Sequence, residues 1–130
     1  GMRLLVDAQP LIWHRARDPR LPEKVREALA SEENDLFVSE ATWWEIGIKV
    51  SLGKLEMLGG LDGLREEWIG RGAAEALPVE WRHTRRLVDL PFVHRDPFDR
   101  MLVAQALTET LTIVGGDSCF GRYPGVDVFW

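Results

Sequence analysis

Short, mainly apolar runs alternate with longer segments of helical periodicity along this chain, and this alternation limits the folds that are open to it. The first run, Arg3–Val6, ends at Asp7, and the second, Asp35–Val38, ends at Ser39. Runs of this length are typical of buried strands, and strands that alternate with helices favour a parallel sheet. The sequence therefore predicts an α/β fold with a mainly parallel sheet flanked by helices.

Turn and cap residues place the predicted helices along the chain. We expect one helix after Asp7, with Pro10 in its first turn, where proline is tolerated. Ser39 is expected to cap a helix that runs from residue 40 to about residue 52, and Gly53 can end it. A second predicted helix opens at residues 21–22 and includes the apolar positions 25, 28 and 29. The other predicted helices cover about residues 61–69, 80–90 and 97–110, and the other predicted strands cover residues 77–79, 111–114 and 126–129.

The length of 130 residues suits one domain, predicted over residues 2–130, because one core can be buried at this size. Gly1 precedes Met2 and is interpreted as a residue left by cloning. No apolar run approaches the roughly 20 residues that span a bilayer, so we do not expect the chain to be a membrane protein. Without a recognisable signal peptide or a disulfide partner for Cys119, a reducing cytoplasm is the expected location.

The net charge bears on nucleic-acid binding. Sixteen basic and twenty-one acidic residues give a formal charge of −5. This balance argues against tight nonspecific binding to nucleic acid, which requires a dense basic surface. A nuclease that works with metal ions is still compatible with it, because such an enzyme concentrates carboxylates at one place.

Two acids follow predicted strands at the edge of the sheet where ligands usually bind. In open parallel sheets, this edge lies outside the carboxyl ends of the strands. Asp7 directly follows the first strand, and Asp117 follows the strand at 111–114 after Gly115 and Gly116. Each acid alone could be a turn residue or a helix N-cap. Their matched placement favours a shared site.

Glu45 lies on a helical stripe with Ala41, Ile48 and Leu52, and a carboxylate on an apolar face is costly unless it is paired or binds a cation. The alternative is an ion pair with Lys49, four residues later. Both interpretations remain open at this point.

Two further acids lie at the start of the late helix. Asp99 is in its first turn, on a stripe that Val103 and Ala106 continue toward the sheet, although the helix dipole alone could also favour an acid there. Asp96 precedes Pro97, which is the usual arrangement of an N-cap followed by proline. We therefore interpret Asp96 as a cap first and as a supporting site residue second.

Convergence of the acids on one site would make them repel each other strongly. Two carboxylates ~6 Å apart at an effective dielectric of ~20 repel by roughly 3 kcal/mol. Such a site must take up protons or bind a hard divalent cation, and Mg²⁺ or Mn²⁺ suits ligands that are all oxygen. The predicted set consists of Asp7, Glu45, Asp99 and Asp117.

Zinc is not indicated by the sequence. The histidines are scattered, and Cys119 is the one cysteine. A zinc site usually shows clustered histidine and cysteine ligands. The histidines are His14, His83 and His94.

The chain resembles PIN-domain ribonucleases of the VapC toxin type along nearly its whole length. The most specific segment is His94–Gln105, which reads His-Arg-Asp-Pro-Phe-Asp-Arg-Met-Leu-Val-Ala-Gln. Further matching segments are Leu4–Asp7, Trp44–Lys49, Leu52–Leu55, Leu90–Pro91, Leu111–Val114 with Asp117, and the end at Trp130.

The resemblance implies a five-stranded parallel sheet flanked by helices and an acidic Mg²⁺ or Mn²⁺ site that cleaves RNA. It assigns metal binding and catalysis to the four acids named above, and it implies a small antitoxin partner and frequent homodimers. Arg95 and Arg100 flank Asp99 and are candidates by position for contacts with RNA phosphate.

The sequence departs from the family pattern near the first and last acids. The family usually has a hydroxyl residue and then often histidine after the first acid, where this chain has Ala8 and Gln9. It commonly has threonine or serine two positions before the last acid, where this chain has Gly115. A hydroxyl at such a position can orient a metal ligand or a water molecule.

Three functions follow as hypotheses. The leading one is a metal-dependent endoribonuclease that is the toxin of a toxin–antitoxin pair. A PIN-like module that binds RNA or a protein without turnover is the alternative, and Ala8, Gln9 and Gly115 favour it. An aspartyl phosphotransferase with Asp7 as nucleophile is the third, but Gln9 stands where the second acid of such a site is expected.

Overall fold

β1 lies in the middle of a five-stranded sheet in which all neighbouring strands are parallel. The computed structural model describes residues 1–130. The order across the sheet is β3-β2-β1-β4-β5. The strands are β1 (Arg3–Val6), β2 (Asp35–Ser39), β3 (Glu75–Leu77), β4 (Thr112–Val114) and β5 (Val128–Phe129).

Six α-helices connect and cover the strands. They are α1 (Ala8–Ala16), α2 (Glu23–Ala30), α3 (Glu40–Ser51), α4 (Gly60–Arg65), α5 (Trp81–Val88) and α6 (Pro97–Glu109). A π-helical turn at Glu66–Gly70 continues α4, and a 3₁₀ turn occupies Phe120–Arg122. No helix combines the length and the apolar character that a membrane span requires.

The side chains of β1 enter both halves of the core, because successive residues of a strand point to opposite faces. Leu4 and Val6 join the apolar cluster that includes residues of α1, α2 and α3. Leu5, on the other face, joins the cluster that contains the buried residues of α6. A strand buried on both faces explains why the first run is apolar without alternation.

The predicted α/β class and the parallel five-stranded sheet are confirmed, and most element bounds agree within two residues. The strand expected at 77–79 instead ends at Leu77, since Pro78 has no N–H to donate to the ladder. Leu111 does not belong to β4. Its N–H donates to Ala106 O at 2.9 Å and closes the end of α6.

Capping determines where two helices begin. The Ser39 side chain accepts a hydrogen bond from Ala41 N at 3.0 Å, which confirms it as the N-cap of α3. Asp96 Oδ1 accepts hydrogen bonds from Phe98 N at 2.9 Å and from Asp99 N at 3.0 Å, which confirms the N-cap of α6. The cap therefore fixes the turn that carries Asp99.

We expect Asp96→Ala to lower the free energy of unfolding by ~0.5–2 kcal/mol, because two N–H groups lose their acceptor. Asp96→Asn retains a capping oxygen and should stay close to wild type. Urea denaturation in the presence of a chelator measures both variants. An equal loss in both would mean that the charge of Asp96, and not its cap, stabilises the fold.

Candidate active site

A cleft of about 320 Å³ opens at the carboxyl edge of the sheet. The chain runs from β1 to β2 and β3 on one side of this point and places β4 and β5 on the other, so the cleft lies where the strand order reverses. The cleft residues are Asp7, Ala8, Gln9, Glu45, Lys49, Asp96, Asp99, Gly116 and Asp117. The structure thus brings all four predicted acids and Asp96 to one cavity.

Asp7 is the most strongly perturbed acid of the cleft. It follows β1 directly, and its N–H donates to Val114 O at 3.0 Å, which fixes it between β1 and β4. The pKa of Asp7 is raised to about 7, mainly by burial and also by the charges of Asp99, Glu45 and Asp117, against a hydrogen bond from the Ala8 backbone. Asp7 therefore holds a proton readily when no cation is bound.

Asp99 reaches the cleft from the first turn of α6 and is 9% exposed. Burial raises its pKa, and so do the charges of Asp96 and Asp117. His94 acts in the opposite direction, since its Nε2 lies 3.2 Å from Asp99 Oδ2. The cap residue Asp96 is consequently part of the electrostatics of the cleft as well as of the helix start.

Glu45 occupies the cleft and also contacts Lys49, so both interpretations of the sequence apply. The Lys49 Nζ atom lies 3.7 Å from Glu45 Oε2, which is too long for a hydrogen bond. The pKa of Glu45 is raised, mainly by burial and also by the charges of Asp96 and Asp99, against the effect of Lys49. The expected apolar stripe is wrong at its far end, because Leu52 is 61% exposed while Ile46 is fully buried.

Asp117 differs from the other three acids, because it is exposed and has its own hydrogen-bond donor. Cys119 N donates to Asp117 Oδ1 at 2.9 Å. This backbone hydrogen bond holds the pKa of Asp117 below its ordinary value. Asp117 therefore remains charged under conditions in which Asp7 is protonated.

The donor set fits a hard divalent cation. All four acids offer carboxylate oxygens, which Mg²⁺ and Mn²⁺ prefer. Three of the acids have raised pKa values, in each case partly because of other carboxylates. A positive charge among them would remove this mutual repulsion.

A glycine at position 115 is required by the packing around Asp7. A Cβ atom there would lie 2.9 Å from Phe120 Cε2 and 3.3 Å from Asp7 Oδ2. The Phe120 ring is fully buried, so it cannot easily move aside. Where the family commonly has threonine or serine, this chain therefore has a glycine that packs against the Phe120 ring. The sequence also differs from the family pattern after Asp7, where Ala8 is buried and Gln9 is exposed at the start of α1.

The expectation that all three histidines lie apart from Cys119 is wrong for His94. His14 and His83 lie outside the cleft, but His94 approaches Asp117 and Cys119, with one donor atom of each within 4.8 Å of the others. Packing of the segment before α6 against the segment after β4 produces this cluster. The sequence contained one local signal for it, since Cys119 is two residues from Asp117.

The two arginines beside Asp99 have different environments. Arg100 is 7% exposed and donates to Pro91 O at 2.8 Å, which corrects its assignment as a phosphate contact. It also donates to Leu90 O at 3.4 Å and so fixes the segment before α6. Arg95 is exposed, and its contact with RNA phosphate stays a prediction.

The sequence matches the family model of the PIN domain over residues 4–126. No curated protein matches it. The fold is similar to VapBC2 from Rickettsia felis bound to a DNA fragment from their promoter, with a TM-score of 0.75, 16% identity and 99% of each chain covered.

Two other solved structures share the fold. FitAcB from Neisseria gonorrhoeae has a TM-score of 0.67 and 19% identity, with 98% of this chain and 96% of that chain covered. A toxin–antitoxin complex from Klebsiella pneumoniae has a TM-score of 0.61 and 17% identity, with the same coverage of 98% and 96%. At such identities, the likeness concerns the fold.

Without divalent metal, we expect the free energy of unfolding to fall as the pH rises from about 4 to about 7. The pKa of Asp7 is raised from 3.8 to about 7 in the folded chain, so protonated Asp7 stabilises the fold at low pH. This stabilisation is lost as the pH rises through 7, and three pKa units correspond to at most roughly 4 kcal/mol. Urea denaturation across this range should show a flatter dependence for Asp7→Asn. Equal slopes for the variant and wild type would contradict the prediction.

We expect Arg100→Ala to lower the free energy of unfolding by ~1–3 kcal/mol, because the carbonyl groups of Leu90 and Pro91 lose the donor of a buried arginine. Arg95→Ala is the matched control on the other side of Asp99 and should change stability by less than ~0.5 kcal/mol. Thermal or urea denaturation compares them. Equal stability of the two variants would show that Arg100 does not secure this segment.

Proposed function

This chain belongs to the PIN domain family, whose members are generally nucleases, and we propose that it is a metal-dependent endoribonuclease that acts as a toxin. The observation that carries the proposal is the convergence of four carboxylates in one cleft at the switch point of the sheet. Such clusters support cleavage of phosphodiester bonds by metal ions.

The cleft acids divide into two groups by environment. In the proposal, Asp7, Glu45 and Asp99 hold the main Mg²⁺ or Mn²⁺ ion, and Asp117 helps to hold a second ion or orients water. A bound divalent ion would supply a water molecule of lowered pKa and would stabilise the leaving oxygen of the phosphodiester. Because Asp117 has a lowered pKa, it stays available as a hydrogen-bond acceptor for that water.

The surrounding residues position these carboxylates. His94 Nε2 lies 3.2 Å from Asp99 Oδ2 and restricts the orientation of that carboxylate. Lys49 Nζ, 3.7 Å from Glu45 Oε2, partly offsets the negative charge at the rim of the cleft. The exposed Arg95 is proposed to contact a phosphate of the RNA.

The proposed biological context is a toxin–antitoxin pair in the cytoplasm. Structures similar in fold include VapBC2 from Rickettsia felis and a toxin–antitoxin complex from Klebsiella pneumoniae. In this context, a small antitoxin would cover the acidic cleft, and the toxin would form a homodimer. Sequencing of the neighbouring gene tests this part, since a short reading frame for an antitoxin is expected beside this one.

A second candidate function is a module that binds RNA or a protein without turnover. The contact of Gly115 with Asp7 and Phe120 favours it, because no side-chain hydroxyl can enter at that position to orient Asp7. Cleavage of single-stranded RNA that requires Mg²⁺ would exclude this candidate. RNA binding without cleavage in Mg²⁺ and in Mn²⁺ would support it.

We expect Glu45→Gln to abolish Mg²⁺-dependent cleavage of single-stranded RNA while the metal-free protein stays as stable as wild type or becomes slightly more stable. The substitution keeps the shape of the side chain and removes a charge that the cleft disfavours. A structural ion pair with Lys49 would instead give a loss of ~0.3–0.5 kcal/mol and normal cleavage.

The matched control for this experiment is Glu40→Gln, on the same helix. Glu40 contacts Arg65 at 2.7 Å and lies outside the cleft. The Glu40→Gln variant should cleave RNA like wild type. A gel assay in Mg²⁺ and urea denaturation in chelator measure all three proteins, and cleavage by Glu45→Gln would remove Glu45 from the catalytic set.

We expect Mg²⁺ or Mn²⁺ to raise the Tm of the wild type, because the ion binds the folded state preferentially. Asp99→Asn should reduce this shift, whereas Asp127→Asn, an exposed acid outside the cleft, should not. Calorimetric titration provides the metal affinities directly. The same affinity in wild type and Asp99→Asn would exclude Asp99 as a ligand.

A further inference from the structure

Beside the carboxylates, three different kinds of metal donor face one another. One ligand atom each from His94, Asp117 and Cys119 lies within 4.8 Å of the other two. His94 and Cys119 are partly exposed and Asp117 is exposed, so an ion can reach them from solvent. Imidazole and thiolate groups are not needed for Mg²⁺, which prefers oxygen ligands, but both are typical zinc ligands.

Hydrogen bonds orient the imidazole ring of His94 toward this cluster. Its Nδ1 lies 2.8 Å from the hydroxyl of Tyr123, which is buried and accepts a hydrogen bond from Arg100 Nη1 at 3.3 Å. With the ring proton on Nδ1, the lone pair of Nε2 points toward the acids. Metal-binding histidines commonly donate a hydrogen bond from the N–H of their second ring nitrogen to a neighbouring acceptor.

The segment after β4 presents the other two donors together. Cys119 N donates to Asp117 Oδ1 at 2.9 Å, so a tight turn holds the carboxylate and the thiol on one side of the chain. An additional oxygen is available on Asp99, whose Oδ2 lies 3.2 Å from His94 Nε2. Asp99 therefore provides a fourth donor beside the group of three.

We propose that His94, Asp117 and Cys119 bind a Zn²⁺-class ion, with Asp99 as the fourth ligand. Tetrahedral Zn²⁺ with bonds of ~2.0–2.3 Å places neighbouring donor atoms ~3.3–3.8 Å apart, so the donors of His94, Asp117 and Cys119, which lie within 4.8 Å of one another, must move closer together to bind the ion. The Cys119 thiol releases its proton to solvent when the ion binds.

This site overlaps the carboxylate site and does not depend on RNA cleavage. Asp99 and Asp117 would serve in both, so the two ions compete for them. A Zn²⁺ ion at His94 and Cys119 would draw both acids away from Mg²⁺. The chain then discriminates between hard and soft cations through one additional imidazole and one additional thiolate.

Because Cys119 is the one cysteine of the chain, Co²⁺ provides a specific probe of the site. We expect Co²⁺ bound to the full-length protein to give the visible bands of tetrahedral Co²⁺ and a near-ultraviolet thiolate-to-Co²⁺ charge-transfer band. Added Zn²⁺ should remove both. The charge-transfer band should disappear in Cys119→Ser and persist in Ser118→Ala, an exposed neighbour that serves as the matched control.

Titration of Zn²⁺ by competition with a chromogenic chelator gives the affinity. We expect Cys119→Ser and His94→Gln each to weaken Zn²⁺ binding by roughly tenfold or more, and Ser118→Ala to leave it unchanged. Absence of the charge-transfer band in wild type, or equal Zn²⁺ affinity in wild type and Cys119→Ser, would overturn the proposal. These readouts are independent of RNA cleavage, so failure of the proposed nuclease activity leaves the test intact.

Discussion

The pairing of β1 with β2 on one side and with β4 on the other is the constraint on which the remaining structure depends. This register sends Leu4 and Val6 into one half of the core and Leu5 into the other. It also fixes Asp7 at the carboxyl edge through the hydrogen bond to Val114 O. A slip of one residue would exchange the two faces of β1 and move Asp7 away from Asp117.

The cleft stores unfavourable electrostatic energy that the core must offset. Asp7 lies against buried residues and is largely deprived of solvent, so its charged form is disfavoured, and the other acids add to this effect. Asp117, on the exposed segment beyond β4, receives a backbone hydrogen bond and stays ionised. The depth of each carboxylate below the surface thus determines which one holds a proton and which one accepts a hydrogen bond.

Local signals made the α/β fold and the convergence of the four acids predictable from the sequence. The apolar run of β1 and the caps at Ser39 and Asp96 depend on neighbouring residues, and their predictions hold. Contacts between distant segments were not predictable in the same way. Burial of Arg100 and the approach of His94 to Cys119 depend on how the segment before α6 packs against the segment after β4. The periodicity of apolar residues does not predict that packing.

The contact between position 115 and the Phe120 ring has an evolutionary consequence. A hydroxyl residue at position 115 would place its Cβ atom 2.9 Å from Cε2 of the fully buried Phe120 ring, so the ring would have to shift. A smaller side chain at position 120 would have to appear first and would leave a cavity in the core. The effect of a substitution at position 115 therefore depends on the residue at position 120, and with phenylalanine there the packing favours glycine.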